Sequence, residues 1–254
     1  MTDTVVLEGR QALVIGGGSG IGRSIALGLA RAGADVAVAG RRAAALQQTC
    51  DAIQALGRRA TAFPLDATQT GALHRLAQAL DGAAAPLDIL VNAQGVMKLG
   101  KAEDCDEADY DRIMATNLKS VWFACTILGR GMLHRRRGVI INIASLASFR
   151  GFPGNGVYCL SKHGVRALTE TLAAEWAERG VRVNAIAPGF FLTDLNRDAM
   201  SDERKAKALS RTPMRRFGET DELAGAAVYL ASAAAGYVTG ATLPVDGGFL
   251  ASGM

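Results

Sequence analysis

The chain has 254 residues, of which 49% are hydrophobic and 20% are charged. This composition supports a large buried core and excludes an intrinsically disordered or collagen-like chain. The formal net charge of +4 is small and spread along the chain, so it does not indicate a nucleic-acid-binding protein. The densest basic run, Arg135-Arg136-Arg137, comes just before an apolar segment and is interpreted as the solvated end of a helix.

The cysteines are widely separated. They are Cys50, Cys105, Cys125 and Cys159. They form neither a disulfide framework nor a Cys/His cluster, so we expect reduced thiols, no metal ion and a cytoplasmic location. The first residues lack the basic and apolar segments of a signal peptide. An uncharged stretch over residues 223–245 is rich in Ala and Gly, which predicts a buried helix, a turn and a strand rather than a membrane span.

Short apolar segments alternate with segments of helical length from one end of the chain to the other. The predicted strands are residues 11–15, 35–39, 61–65, 89–91, 139–143, 182–187 and 242–245, and the predicted helices include residues 21–32, 43–56 and 157–178. Because the strands do not alternate between apolar and polar residues, helices should cover both faces of the sheet. The pattern predicts the α/β class: one Rossmann-like domain over residues 1–254, with a doubly wound parallel sheet of about seven strands.

The first predicted strand runs directly into a glycine-rich turn, and a helix follows at once. Glycines let the backbone approach a pyrophosphate closely, and the start of the helix offers free N–H groups and a positive dipole end to that anion. The turn therefore predicts a dinucleotide site. Its expected contacts are Gly16, Ser19, Gly20, Ile21 and Gly22.

Two arginines, Arg41 and Arg42, follow the second predicted strand, where such folds contact the adenosine ribose. Asp35 lies at the other end of that strand. A guanidinium can bind a 2′-phosphate through two donors, whereas a carboxylate would repel it. We therefore predict NADP as the cofactor; NAD is the alternative if both arginines are simply solvated.

Tyr158 and Lys162 are four residues apart, so their side chains share one face of the predicted helix. An ammonium group beside a phenol stabilises the phenolate and lowers its pKa from the ordinary value of ~10, which would suit Tyr158 to acid–base catalysis. Ser145 follows an apolar strand at the edge where open α/β sheets bind ligands. Its hydroxyl could donate a hydrogen bond to a substrate carbonyl.

The glycine turn, Ser145, Tyr158 and Lys162 follow one another in the order and spacing of the short-chain dehydrogenase/reductase family. The chain resembles that family over nearly its whole length. Further matches to the family are Asp66, Asn117, Pro188-Gly189, Thr193 and Val245-Asp246-Gly247-Gly248. Ile15 stands where the family usually has Thr. The segment Asn92-Ala93-Gln94-Gly95 departs from the family's Asn-Asn-Ala-Gly motif but keeps its first Asn and its Gly.

The resemblance implies a catalytic tetrad of Asn117, Ser145, Tyr158 and Lys162. In this tetrad, Tyr158 exchanges a proton with the substrate oxygen, and Ser145 polarises the substrate carbonyl. Lys162 lowers the pKa of Tyr158 and holds the nicotinamide ribose, and Asn117 holds a relay water. The cofactor contacts that it implies, besides Tyr158 and Lys162, are Asp66, Ala67, Asn92, Gly95, Pro188, Gly189 and Thr193. It also implies a substrate lid at about residues 190–214 and a homotetramer.

Residues 180–248 most resemble sugar-acid members of the family, such as gluconate 5-dehydrogenase and 2-dehydro-3-deoxygluconate 5-dehydrogenase. The expected reaction is hydride transfer between NADP(H) and a small hydroxy/keto compound, with a sugar acid or polyol as the candidate substrate. Two alternatives remain open: a 3-oxoacyl-carrier-protein reductase, and a nucleotide-binding sensor without turnover. The phenylalanines expected to form an apolar substrate pocket are Phe149, Phe152, Phe190 and Phe191.

Overall fold

The computed structural model of the chain describes residues 6–81, 85–192 and 201–252. The strands are β1 (Gln11–Ile15), β2 (Asp35–Gly40), β3 (Ala60–Pro64), β4 (Ile89–Asn92), β5 (Gly138–Ile143), β6 (Val181–Pro188) and β7 (Thr242–Val245). They form one parallel sheet in the order β3-β2-β1-β4-β5-β6-β7. The predicted strands are confirmed, and each predicted boundary lies within one residue of the observed one.

The sheet is connected by helices. The helices are α1 (Gly20–Arg31), α2 (Ala43–Gln54), α3 (Thr70–Asp81), α4 (Glu107–Met114), α5 (Ser120–Arg135), α6 (Gly156–Trp176), α7 (Asp202–Arg211) and α8 (Thr220–Ala231). A π-helical turn, Ala115–Lys119, joins α4 to α5. The uncharged stretch over residues 223–245 contributes most of α8 and all of β7, as predicted, and no helix in the described parts of the chain is long and apolar enough to cross a membrane.

The chain winds outward in both directions from the centre of the sheet. β1 pairs with β2 on one side and with β4 on the other, so the strand order reverses between β1 and β4. In parallel sheets of this kind, the crevice at the carboxyl ends of the strands beside that reversal binds ligands. The doubly wound, Rossmann-like fold is therefore confirmed, and it brings the ends of β1, β4, β5 and β6 to one edge.

Two apolar cores lie on opposite faces of the sheet. On one face, Val14 and Val38 pack with residues of α1, α2 and α8, and on the other face Leu13 packs with residues of α3, α5 and α6. Close helix contact requires small residues: a Cβ at Gly28 of α1 would lie 2.6 Å from the Ala224 Cβ of α8. Both faces of the strands are therefore apolar, which explains why the strand sequences do not alternate.

The Arg135-Arg136-Arg137 run lies where α5 ends. All three side chains are exposed, and Arg136 has a left-handed backbone conformation with φ of 53° that ends the helix. The interpretation as a solvated helix end is confirmed.

Candidate active site

The glycine turn joins the end of β1 to α1 and packs against the end of β4. Gly16 has a φ of +85°, and a Cβ there would lie 2.8 Å from the carbonyl carbon of Ala93. A Cβ at Gly22 would overlap the Gly16 carbonyl. Ser19 precedes α1 in an extended conformation and makes no capping hydrogen bond, so the first N–H groups of the helix, from Gly20 and Ile21 onward, are oriented to receive an anion.

The two arginines after β2 differ in their contacts. The Arg42 Nη2 donates a 2.6 Å hydrogen bond to the Ser19 Oγ, which brings its guanidinium to the glycine turn. Arg41 is exposed and has no hydrogen bond or ion pair to any residue that the structure describes. This end of β2 therefore presents two cations beside the start of α1.

Asp35 lies at the opposite end of β2. Its carboxylate is held by Arg59, with an Nη2–Oδ2 distance of 2.8 Å. Burial favours the protonated acid, but hydrogen bonds from Arg59 and Gln11 outweigh burial and keep the pKa of Asp35 below its ordinary value. This carboxylate does not face the glycine turn.

Asp66 and Ala67 follow β3 on the same edge of the sheet. The Asp66 Oδ1 accepts hydrogen bonds from the N–H and the hydroxyl of Thr68, at 2.9 and 2.8 Å. Ala67 is buried in the core on the α3 side. The Asp66 Oδ1 therefore stabilises the loop that follows β3.

The Asn92 side chain is buried inside the protein. Its Nδ2 donates to the Asn142 Oδ1 at 2.9 Å and to the Cys125 Sγ at 3.3 Å, which links β4 to β5 and α5. The Nδ2 end of the Asn92 amide is therefore committed to the core, while its Oδ1 is buried with no hydrogen-bond partner among the described residues, and the cofactor contact of Asn92 stays a prediction. Sequence matching alone does not reveal which way this side chain turns.

Tyr158 and Lys162 lie on one face of α6, as their spacing predicts. The Lys162 Nζ is 5.8 Å from the centre of the Tyr158 ring and donates a 2.7 Å hydrogen bond to the Ile143 carbonyl at the end of β5. Ser145 caps the 3₁₀ turn that follows β5, where its Oγ accepts from the Ala147 N–H at 3.1 Å, and its hydroxyl is near enough to Tyr158 to favour the phenolate. The structure therefore brings the hydroxyls of Ser145 and Tyr158 together, with the Lys162 amine close by.

Burial controls the titration of this pair. It raises the pKa of the Tyr158 phenol, and the hydrogen bond with Ser145 only partly opposes this. Burial also lowers the pKa of Lys162 to about 8. The sequence predicted that Lys162 would lower the pKa of Tyr158. Burial is the largest influence on the phenol in this structure and acts in the opposite direction, and the effect of Lys162 on Tyr158 stays a prediction.

Asn117 lies in the π-helical turn and is fully buried. Its Oδ1 accepts from the Val96 N–H at 2.8 Å, and its Nδ2 donates to the Val96 carbonyl at 2.8 Å and to the Ser161 Oγ at 3.1 Å. A Cβ at Gly95 would lie 3.7 Å from both the Asn117 Oδ1 and the Lys162 Nζ. Asn117 therefore ties the loop after β4 to α6, beside Lys162.

Pro188 and Gly189 end β6 at the same edge of the sheet. The Gly189 N–H donates to the Val245 carbonyl at 2.9 Å, and a Cβ at Gly189 would lie 2.6 Å from the Asp246 Cα. This close approach explains the glycine. Thr193 lies outside the described residues, as do residues 193–200 of the predicted lid as a whole.

Three phenyl rings form a cluster at this edge. The Phe249 ring stacks on Phe152 at 6.1 Å and meets Phe190 edge-on at 5.4 Å. The other two predicted pocket residues lie elsewhere: Phe149 contacts Arg166, and Phe191 is buried against Gly218. Sequence reasoning missed Phe249, since it follows the last strand and no periodic pattern marks it.

The cysteines are all unpaired. Among the described residues, no group of His, Cys, Asp and Glu side chains is arranged to hold a metal ion.

Comparison with known proteins identifies the family. Residues 16–250 match the family described as enoyl-(acyl carrier protein) reductase. The chain is 42% identical to 2-dehydro-3-deoxy-D-gluconate 5-dehydrogenase of Bacillus subtilis, covering 98% of this chain and 97% of that protein. It is 38% identical to gluconate 5-dehydrogenase of Gluconobacter oxydans, covering 98% of each. The chain belongs to the short-chain dehydrogenase/reductase family.

A solved member of this family has the same fold. Gluconate 5-dehydrogenase of Burkholderia cenocepacia, in complex with NADP and tartrate, superposes with a TM-score of 0.94 at 35% identity and covers 98% of each chain. The short-chain dehydrogenase/reductase assignment therefore rests on sequence and fold together, over nearly the entire chain.

Proposed function

We propose that this chain is an NADP(H)-dependent oxidoreductase that transfers a hydride to or from a small hydroxy/keto compound, with a sugar acid or polyol as substrate. The observation that carries the proposal is the meeting of the Ser145 and Tyr158 hydroxyls beside Lys162, at the sheet edge that also holds the glycine turn. The names of the relatives, which are gluconate and deoxygluconate dehydrogenases, support the substrate class.

The cofactor proposal rests on the glycine turn and on Arg42. The turn and the start of α1 would hold the pyrophosphate of the dinucleotide. Arg42 already reaches Ser19 of that turn, and Arg41 beside it is exposed, so both cations are available to a 2′-phosphate. Gly95, Pro188 and Gly189 lie at the edge where the nicotinamide half would fit.

The proposed chemistry divides between the cofactor and the protein. When bound, the nicotinamide supplies or accepts the hydride. Because burial raises the pKa of Tyr158, its phenol is protonated near neutral pH and can donate a proton to the substrate oxygen during reduction. Ser145 would hydrogen-bond the same oxygen, and Lys162 would hold the ribose. In the oxidative direction the phenolate is needed, and the protonated form of Lys162 would favour it.

Asn117 has a different role in this proposal. Its side-chain amide bonds to Val96 and Ser161, so the side chain would fix the loop beside Lys162, while the Asn117 backbone would hold the relay water. The segment at about residues 190–214 remains our proposal for the substrate lid; α7 lies within it.

A substrate panel tests the proposed function. Purified protein is assayed spectrophotometrically with NADPH and NADP against keto and hydroxy sugar acids, polyols and acetoacetyl thioesters. We expect the highest kcat/KM with a sugar acid or polyol. The acyl-carrier description of the matching family favours the thioester arm as the second candidate, and preferential thioester turnover would replace our substrate class. The absence of turnover across the panel would favour the nucleotide-binding sensor.

We also propose that the protein is a cytoplasmic homotetramer. Large apolar side chains are exposed on the helices that carry the site, including Trp122 on α5 at 40% and Leu160 on α6 at 58%. Such exposure is typical of a surface covered by another subunit. The unpaired cysteines agree with a reducing compartment. Sedimentation velocity measures the oligomer, and a tagged chain in fractionated cells tests the location.

A further inference from the structure

Gln94 stands in the segment that departs from the family motif, and its side chain makes a specific contact. The Gln94 Nε2 donates to the Ser120 Oγ at 3.1 Å, and the Ser120 Oγ donates to the Thr116 carbonyl at 2.6 Å. The two hydrogen bonds form a chain from the loop after β4 to the π-helical turn that carries Asn117.

Ser120 follows the last residue of the π-helical turn and bonds back into it. In an α-helix its N–H would bond to the carbonyl four residues back, which is that of Thr116. Here the N–H bonds to the Ala115 carbonyl instead, and the Ser120 hydroxyl takes the Thr116 carbonyl. The Ser120 side chain thus bonds within the wider turn, and Gln94 donates to that side chain.

The chemistry fixes the orientation of the Gln94 amide. Because the Ser120 hydroxyl donates its proton to Thr116, it can only accept from Gln94, so the NH₂ end of the amide must face it. The Gln94 Oε1 is buried and has no hydrogen-bond partner in the described parts of the chain. An unpaired buried acceptor costs stability, so the amide is not explained by stability alone.

The backbone around Gln94 touches both halves of the candidate site. The Gln94 nitrogen lies 2.9 Å from where a Gly16 Cβ would stand in the glycine turn. The next two residues, Gly95 and Val96, contact Asn117, and Gly95 also lies beside Lys162. Gln94 thus connects the cofactor turn with the turn that carries Asn117.

We propose that Gln94 is a positioning residue for the reaction: through Ser120 it fixes the π-helical turn, and so places Asn117 and the Gly95-Val96 backbone against Lys162. This inference rests on the proposed function. It assigns no contact between Gln94 and the substrate.

Replacing the amide with an apolar side chain of similar length separates positioning from stability. In Gln94→Met we expect kcat to fall about ten-fold, since small misplacements in an active site are costly to rate. The dissociation constant for NADPH should stay within about two-fold, and the melting temperature should be unchanged or higher, because the orphan acceptor is gone. An unchanged kcat, or a kcat that falls together with the melting temperature, overturns the proposal.

A second substitution tests the chain of hydrogen bonds. Ser120→Ala should lower kcat about as much as Gln94→Met, and the double variant should be no worse than Ser120→Ala alone, because the two residues act in series. If the double variant loses kcat by the product of the two single losses, the proposal is overturned. Thr126→Ala is the matched control: its hydroxyl also bonds a carbonyl four residues back on α5, but far from Gln94.

Hydrogen exchange tests the positioning without turnover. The Val96 N–H is protected by the Asn117 Oδ1, so its exchange should accelerate in Gln94→Met and not in Thr126→Ala. Unchanged exchange contradicts the positioning role. If the wild-type protein turns over no substrate, the proposed function fails, while the exchange rates still decide whether Gln94 fixes Asn117.

Discussion

Burial favours the neutral forms of the two titratable groups in the candidate site. It raises the pKa of Tyr158 and lowers that of Lys162 to about 8. The pair therefore reaches its charged forms only when other groups stabilise them. Ser145 partly stabilises the phenolate, because its side chain lowers the pKa of Tyr158.

Tyr158→Phe removes the only group at the site proposed to exchange a proton with the substrate oxygen. We expect kcat to fall by about 10³-fold, within the range for losing a general acid or base. NADPH binding, measured by fluorescence titration, should be retained. Tyr110→Phe, at an exposed tyrosine, is the control. A Tyr158→Phe enzyme with near-normal kcat would show that the proton moves by another route.

Lys162 makes stability depend on pH in an unusual direction. Its pKa lies at about 8 in the folded chain and at 10.5 in the unfolded chain, so between these values the unfolded state binds more protons and stability rises with pH. The shift corresponds to about 3 kcal/mol. We expect Lys162→Met to stabilise the protein most below pH 8, with the gain shrinking up to pH 10.5. Melting temperatures across this range measure it, and a pH-independent difference would contradict it.

Arg42 decides between the two dinucleotides in our proposal. Arg42→Ala should lower kcat/KM for NADPH by about 10- to 100-fold, as expected for the loss of a charge-assisted contact to phosphate. The value for NADH should stay within about two-fold. Arg31→Ala, which removes an exposed ion pair with Asp221, is the control. If kcat/KM falls equally for NADPH and NADH, Arg42 supports the glycine turn and does not bind the 2′-phosphate.

At the scale of elements, the glycine turn is fixed by backbone contact as well as by conformation. Gly16 and Gly57 both have left-handed backbones, but only Gly16 lies against other backbone atoms. Gly57→Ala should therefore cost only the conformational strain, about 1–2 kcal/mol. Gly16→Ala should cost more and abolish NADPH binding. Denaturant unfolding and fluorescence titration compare them; equal destabilisation would show that the Ala93 contact yields easily.

The sequence predicts regular elements well where they are buried on both faces. β1, β5 and β6 are rich in buried aliphatic residues, and their predicted ends lie within one residue of the observed ends. The π-helical turn has no such signal, because a single wide turn inside a helix leaves no periodic pattern in the sequence. The burial that raises the pKa of Tyr158 and the inward turn of Asn92 are likewise set by tertiary packing. The candidate residues were thus predictable, but their electrostatics and orientation were not.

At the scale of the whole molecule, the exposed face of α5 and α6 is the proposed contact between subunits. Leu160→Glu places a charge where an apolar side chain would be covered, so we expect the tetramer to dissociate in sedimentation velocity. Leu56→Glu, at another exposed leucine, should leave the assembly unchanged. A tetramer that survives Leu160→Glu would exclude this face as the contact.

The order of strands in the sheet also bears on how the protein matures. The crevice draws on the first strand and on the segment beside the last one, since Gly189 packs against Asp246 near the end of the chain. During synthesis the glycine turn emerges early, whereas β7 and the Phe249 segment emerge after the other described strands. A nascent chain therefore carries a half-built sheet with an open apolar edge, a state that is prone to aggregation. Newly made chains should depend on chaperones until β7 and the Phe249 segment have emerged and joined the sheet.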